Sequence, residues 1–486
     1  MKRRSYKYLI MGISFLAVSF SVKAQIRLPK IIGSNMVLQR EKPLPIWGWA
    51  SAGEKITVQF LDQEKFAVAN DSGYWRVELS PVKASFKPEQ MTIKGRNTIT
   101  LTNILVGEVW LCSGQSNMEY PMKRFAGYTK PFKGVDSADL ELSTTNENIR
   151  LFNVEKVLSV LDVTSKGWNS SDSNSMKNFS AAGYYFAKNI QKEINVPIGM
   201  IASSWGGSRI EPWTPATGYE TLPAFTKETA IASFKIDGET PGKYYNKMIL
   251  PLAPFALRGF LWYQGESNCM INDGMRYADK MQALIGSWRK QWGSNNLSFY
   301  SVLIAPYNYA TRKDKLPHTP ETLAEFWEAQ VQSLKIPHTA LIVTTDLVDQ
   351  LNNIHPSYKW EVGRRLALLA LANDYGDKRL VYSGPVYKKM QVKKDKIIVS
   401  FTNAGGLQSN DGKPLNWFTI AGSDGKFVEA TAIIKGAKVL VSSPMVLQPT
   451  TVRFAWNEAA QPNLFNAAGL PAVPFRTDGL EWNYKK

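Results

Sequence analysis

The chain has 486 residues, 58 Lys and Arg against 41 Asp and Glu for a net charge of +17, and 44% hydrophobic residues. At roughly 100–200 residues per domain this length makes two to four domains, and the apolar share can build proper cores, which excludes disordered, collagen-like and low-complexity classes. Two Cys exclude a disulfide scaffold and three His leave almost no material for a His-rich metal site, so neither a metal nor a cofactor is expected.

Residues 1–24 open the chain with Lys2, Arg3, Arg4 and Lys7, an apolar run from Tyr8 to Val22, and small Ala24 before Gln25. A positive region, an apolar region and a small residue at a cleavage point read as a secretory signal peptide, so a protein exported to the periplasm or secreted, beginning at Gln25, is expected. The apolar run is interrupted by Ser and Gly and is short for a span, and no integral membrane segment is expected once it is removed. The remaining Lys and Arg are scattered, without the block of a nucleic-acid arm, so no nucleic-acid partner is expected and a solvated basic surface is the plain reading.

Residues 25–103 alternate with the period of strands. Ile56, Val58 and Phe60 are followed by a turn at Asp71-Ser72-Gly73 and by Trp75, Val77 and Leu79. Over residues 104–375 short apolar runs alternate with helical stripes such as Ala182, Phe186, Ile190 and Ile194, or Tyr277, Met281, Leu284, Ile285 and Trp288. Strands alternating with helices predict an α/β domain, a parallel sheet with helices on both faces. Residues 376–486 return to the β-pattern, with Ile433-Ile434 set to pair with Val439-Leu440-Val441.

Open parallel sheets place their sites beyond the carboxyl ends of the strands. Four apolar runs of the middle region end in polar residues: Val109–Cys112 before Ser113-Gly114-Gln115-Ser116-Asn117, Ile198–Ala202 before Ser203-Ser204-Trp205-Gly206-Gly207-Ser208-Arg209, Phe260–Tyr263 before Gln264-Gly265-Glu266-Ser267-Asn268, and Thr339–Thr344 before Thr345-Asp346. Ordinary turn chemistry accounts for any one of them. Together they offer a nucleophile, oxyanion donors and a base for acyl transfer. Ser116 follows a glycine turn at the start of a helix, where a backbone N–H and the helix dipole would favour a developing oxyanion. A serine requires a base, and His318 and His338 sit in surface-loop contexts, whereas His355 follows the last strand and alone can face the edge that carries Ser116.

The same residues resemble a family. Gly-Gln-Ser-Asn-Met (114–118), Trp-Gly-Gly-Ser-Arg-Ile-Glu-Pro-Trp (205–213), Trp-Tyr-Gln-Gly-Glu-Ser-Asn (262–268) and Ile-His-Pro with Val-Gly-Arg-Arg-Leu (354–366) are similar, in this order, to the sialate O-acetylesterase family of the SGNH-hydrolase superfamily, which includes acetylxylan-esterase-like members. The resemblance runs from about residue 28 to residue 478. It implies an SGNH-like catalytic domain between β-rich flanks and a serine esterase that removes O-acetyl groups from carbohydrate. Ser116 would attack, His355 would take and return the proton, and the oxyanion would rest on the Ser116 N–H, a glycine N–H at Gly206 or Gly207, and the Gln264 amide. Many SGNH enzymes carry the triad acid three residues before the histidine. Asn352 stands there, so the acid would be Asp346, which ends a strand on the expected edge, or Asp349, or else the pair would run as a dyad.

Arg209, Glu266 and Asn268 are candidate substrate contacts, with Arg209 suited to a sialate carboxylate or to an internal salt bridge with Glu211. Glu211 and Glu266 would serve a glycosidase, the alternative of another class, and an inactive sugar-binding protein is a third. Acetylated xylan is the closest alternative to sialic acid as substrate. Cys112 and Cys269 lie on segments expected to be neighbours, and two buried thiols are the default. Trp205, Trp213 and Trp262 are candidates for stacking on sugar rings, with the core as their ordinary place. The sequence sets no oligomeric state.

Overall fold

A computed structural model describes residues 25–123, 131–134, 137–312 and 316–479; the expected signal peptide, residues 1–24, lies outside these. Its central sheet is built from β1 (Thr98–Gly114), β2 (Asn146–Asn153), β3 (Trp168–Ser171), β4 (Ile198–Ser204), β5 (Gly259–Tyr263), β6 (Ser298–Val302) and β7 (Thr339–Ile342), in the spatial order β7-β6-β5-β1-β4-β2-β3. Six strands run parallel and only the β2–β3 edge pair is antiparallel, so the expected parallel sheet is mixed at one margin. The parallel strands are apolar because both faces are covered. Trp110 of β1 packs on Phe186 from the helix α2 (Ala181–Ile194), while Phe260 and Trp262 of β5, on the opposite face, pack on Trp288 from the helix α4 (Arg276–Gln291). The apolar stripes predicted on these two helices are the buried faces, with Ile194 at the end of its stripe only half-buried.

β1 has 17 residues and continues past residue 103 without a break. Its first half pairs antiparallel with Ser85–Lys94 of the N-terminal region, Leu105–Gly107 pair parallel with Val37–Gln39, and its last residues pair with β4 and β5. Ile56, Val58 and Phe60 are buried as their alternation predicts. At the centre of β1 the buried carboxylate of Glu108 accepts two hydrogen bonds from Arg258 (2.9 Å each), one from Arg40 (2.6 Å) and one from Gln39 (3.0 Å). Burial pushes its pKa up, but these donors hold it below the ordinary carboxylate value.

The C-terminal region forms two four-stranded antiparallel sheets and a two-stranded one, and Ile433 and Ile434 pair with Leu440 and Val439. It docks on α5 (Thr322–Gln332) and the loop before it. Arg453 reaches Glu321 at 3.0 Å, Arg476 pairs with Glu328 at 2.8 Å, and the Glu458 N–H donates to Pro320 O at 2.7 Å.

Candidate active site

β1, β4 and β5 stop level with one another, since Gly114 is in register with both Ser204 and Tyr263. The chain reverses strand order on either side of β1, so the crevice opens over the carboxyl end of this strand. Gly114 has φ 140°, and a Cβ there would lie 2.1 Å from Tyr263 O, so only glycine lets the chain turn this close to β5. The Gln115 N–H then donates to Tyr263 O (3.0 Å) and the Trp205 N–H to Gly114 O (3.1 Å), which ties the turn to both neighbouring strands.

Ser116 opens the single-turn helix α1 (Ser116–Glu119) and is half-buried. His355 stands on the loop between β7 and α6 (Lys359–Asn373), with its N–H held by Asn353 Oδ1 at 3.0 Å. Ser116 Oγ and His355 Nε2 are 2.9 Å apart, although 239 positions separate them in the chain. Burial first, and then the nearby Lys359 ammonium, push His355 down to about 4, so the imidazole is neutral at physiological pH and able to accept a proton.

The carboxylates considered for the acid are engaged with other groups. Asp346 receives the Arg365 guanidinium in a fork of 2.8 and 2.6 Å, and Asp349 accepts from Tyr358 Oη at 2.5 Å and from the Phe132 N–H at 3.0 Å. Of the oxyanion candidates, Gly206 lies beside Ser116, where an added Cβ would sit 3.6 Å from that of the serine. Its N–H donates to Glu119 Oε2 at 2.6 Å, and Glu119 Oε1 pairs with Lys156 at 2.6 Å. Gly207 is the exposed next residue of the same turn, at φ 72°. Gln264 is fully buried, and its amide nitrogen faces Gln115 Oε1 (3.0 Å), Asn268 Oδ1 (2.7 Å) and Ser208 O (3.2 Å), so its two hydrogens are spent inside the protein.

Asn268 lies behind Gln264. It accepts from Ile210 N–H (3.0 Å) and donates to Glu211 (3.1 Å) and Asp273 (2.9 Å). Arg209 pairs with Glu211 (3.8 Å) and Glu239 (3.2 Å) and donates to Asp237 O (2.9 Å). Glu211, against Lys280 at 2.6 Å, and Glu266, against Asn117, are both buried, and burial raises both above the ordinary carboxylate value. A glycosidase needs its two acids facing the substrate, and this pair is buried in the protein. Cys112 and Cys269 are free, buried thiols. Trp213 and Trp262 belong to the core, while half-buried Trp205 stacks on Tyr244 at 4.8 Å.

Against Glu119 opens a cavity of about 240 Å³, lined by Asn153, Glu155, Lys156, Asn178 and Ser204 among others. Its Glu119 and Ser204 adjoin two of the four motifs, whereas a larger groove of about 1000 Å³, along Arg276, Gln282, Arg289 and Lys335, neither contains nor adjoins a motif residue. Among the described residues no group of three or more His, Cys, Asp or Glu could hold a metal ion, and no helix is long and apolar enough to cross a membrane.

Sequence reasoning passed over Glu119, Lys156 and Lys359. Lys359 is four residues after His355 and stands on the same loop-to-helix junction, a spacing that could have drawn attention to it.

A family model described as "Carbohydrate esterase, sialic acid-specific acetylesterase" matches residues 106–372. The human protein named sialate O-acetylesterase is 29% identical over 494 residues, covering 92% of each chain, and that of Pongo abelii is 28% identical over the same span. The crystal structure of a carbohydrate acetylesterase from Xanthomonas citri superposes with a TM-score of 0.83 at 33% identity, covering 94% of this chain and 100% of that one. The family match takes in both Ser116 and His355, and with the superposition of the whole architecture it shows that this chain belongs to the sialic acid-specific acetylesterase family of carbohydrate esterases, enzymes that hydrolyse carboxylic esters.

Proposed function

We propose that this esterase removes O-acetyl groups from sialic acids, with Ser116 as nucleophile and His355 as general base and then acid. The observation that carries this reading is the 2.9 Å contact between Ser116 Oγ and a neutral imidazole at the carboxyl edge of the sheet. Oγ attacks the acetyl carbonyl as its proton passes to Nε2. The imidazolium then protonates the departing sugar alkoxide, and water hydrolyses the acetyl-enzyme by the reverse sequence. The Ser116 N–H is assigned to the oxyanion, and with it the Gly206 N–H, which has to exchange its bond to Glu119 Oε2 for the oxyanion; one such donor contributes about 2.7–4 kcal/mol. Gln264 supports the turn from behind. Asp346 and Asp349 are assigned to holding α6 and its loop, because their oxygens serve Arg365, Tyr358 and Phe132.

The acetyl group is assigned to Ser116 and His355 and the rest of the sugar to the neighbouring cavity against Glu119, whose lining includes neither of those two residues and where Asn153, Asn178 and Lys156 offer polar groups to hydroxyls and a carboxylate. Because these three side chains are exposed, a second reading has acetylated xylan or another polysaccharide entering from solvent. The domain limits at residues 24, 103 and 375, the second of them falling inside the continuous strand β1, and export through the N-terminal segment, belong to the same proposal. Acetate release measured across acetylated sialic acids, xylans and pectins ranks the substrates. Ser116→Ala should abolish release while keeping the wild-type melting temperature, and wild-type turnover in that variant would refute the assignment. Asp346→Asn and Asp349→Asn should both keep near-normal turnover per folded molecule; a loss on the order of 10⁴-fold in either would make it the acid of a triad.

A further inference from the structure

Behind the serine and the histidine lies a buried group that the mechanism does not use. Lys359, the first residue of α6, is 2% exposed. Its Nζ donates to Asn117 Oδ1 (2.8 Å) and to Pro356 O (2.6 Å), over the ring faces of Tyr120 at 4.6 Å and Tyr263 at 5.4 Å. Asn117, next to Ser116 in the chain, donates its amide hydrogens to Glu266 Oε1 (2.5 Å) and Ile354 O (2.9 Å). Ile354 and Pro356 are the two neighbours of His355. Their carbonyls are therefore gripped by Asn117 and Lys359, which also bond to each other.

We propose that Lys359 is a positioning residue, which with Asn117 clamps the carbonyls on either side of His355 to the nucleophile turn and so fixes the imidazole against Ser116. The inference rests on the assignment of these two residues as base and nucleophile. An apolar side chain would fill this space without the desolvation cost of an ammonium, and the hydrogen bonds explain why a charged donor stands here. The charge has a second effect. Lys359 is itself pushed down to about 7 by burial, against the pull of Glu266, and below that value it is an ammonium facing His355. The groups around it are Asn117 and Tyr120 from the nucleophile segment, Tyr263 at the end of β5, Glu266 on α3 (Glu266–Cys269), and the His355 loop. It thereby helps keep the imidazole unprotonated in mild acid, and the acidic limb of kcat/KM for the native enzyme should fall near pH 4.

The test is the pH profile of 4-nitrophenyl acetate hydrolysis by the full-length enzyme and its Lys359→Gln, Lys359→Met and Lys359→Arg variants, with circular dichroism to count folded molecules. Displacing a base by about 1 Å costs on the order of 100-fold, so kcat should fall by about that factor in K359Q and K359M with a smaller change in KM. In both, the acidic limb should move to higher pH, and K359R, which keeps the charge, should retain the limb of the native enzyme. If K359M does not fold, K359Q carries the same expectation with a polar group left to bond Asn117. Native kcat and an unmoved limb in K359Q, while Ser116→Ala and His355→Ala are inactive, overturn the clamp alone. Activity surviving in Ser116→Ala or His355→Ala removes the assignment beneath it, and the clamp as well.

Discussion

The oxygen of Ser116 and the ring of His355 could be named from the sequence because each follows a strand that must end at the same sheet edge, and because the histidine inventory is so short. The fate of individual hydrogens could not. Gln264 occupies the position from which an oxyanion donor is expected, yet both its amide hydrogens are taken by Gln115, Asn268 and Ser208, and its oxygen accepts from Tyr277 at 2.7 Å. Gln264→Ala should therefore lower unfolding free energy by about 1–3 kcal/mol, the cost of stranding buried partners, as read by urea denaturation. A fall in activity with no change in stability would return Gln264 to the oxyanion. Asp346 teaches the same lesson: expected to end a strand, it stands in a turn four residues beyond Ile342, the last residue of β7, and its engagement by Arg365, 19 residues on, arises only when α6 folds back over β7. Donor exhaustion is a property of the packed interior and leaves no periodicity behind. Gly114, by contrast, carries its reason in the chain, and Gly114→Ala should cost about 1–3 kcal/mol and also reduce kcat, since the strain falls on the residues that aim Oγ.

Among the elements, β1 differs most from its prediction. The change of pattern near residue 103 suggests a boundary, while the strand runs straight through it for 17 residues. Alternation before the boundary and a continuous apolar run after it reflect one face covered and then two, not two separate strands. Glu108 fastens this strand at the level where the N-terminal and catalytic regions meet. Glu108→Ala leaves Arg258 and Arg40 without their carboxylate and should lower stability by about 3–5 kcal/mol, visible as an earlier urea midpoint. Because its pKa is held below the ordinary value of 4.5, Glu108 contributes stability above that pH and loses it as the pH falls through the lowered value. The acid sensitivity of unfolding should accordingly be weaker in the variant; an unchanged pH dependence would count against the assignment.

For the whole molecule, the carbohydrate esterase match covers residues 106–372, but the contacts that support α5 come from well beyond it, from Arg453, Glu458 and Arg476. Calorimetry should show one cooperative transition for the full chain. A chain ending at residue 375 should melt lower, on the order of 5 °C or more, since it loses these ion pairs and uncovers the flank of α5. Two separate transitions in the intact protein would instead make the C-terminal sheets an independent appendage. Of the three regions read from the sequence, the middle one was the most legible because parallel strands and covering helices write two distinct periods, whereas the flanking sheets share a single period with each other. The unbroken backbone of β1 sets a rule for any engineer who wishes to transplant this catalyst. A graft, permutation or fusion joint placed at residue 103 would sever the spine whose final residues seat Ser116, so a transferable unit has to begin upstream, with the small leading sheet carried along as part of the machine.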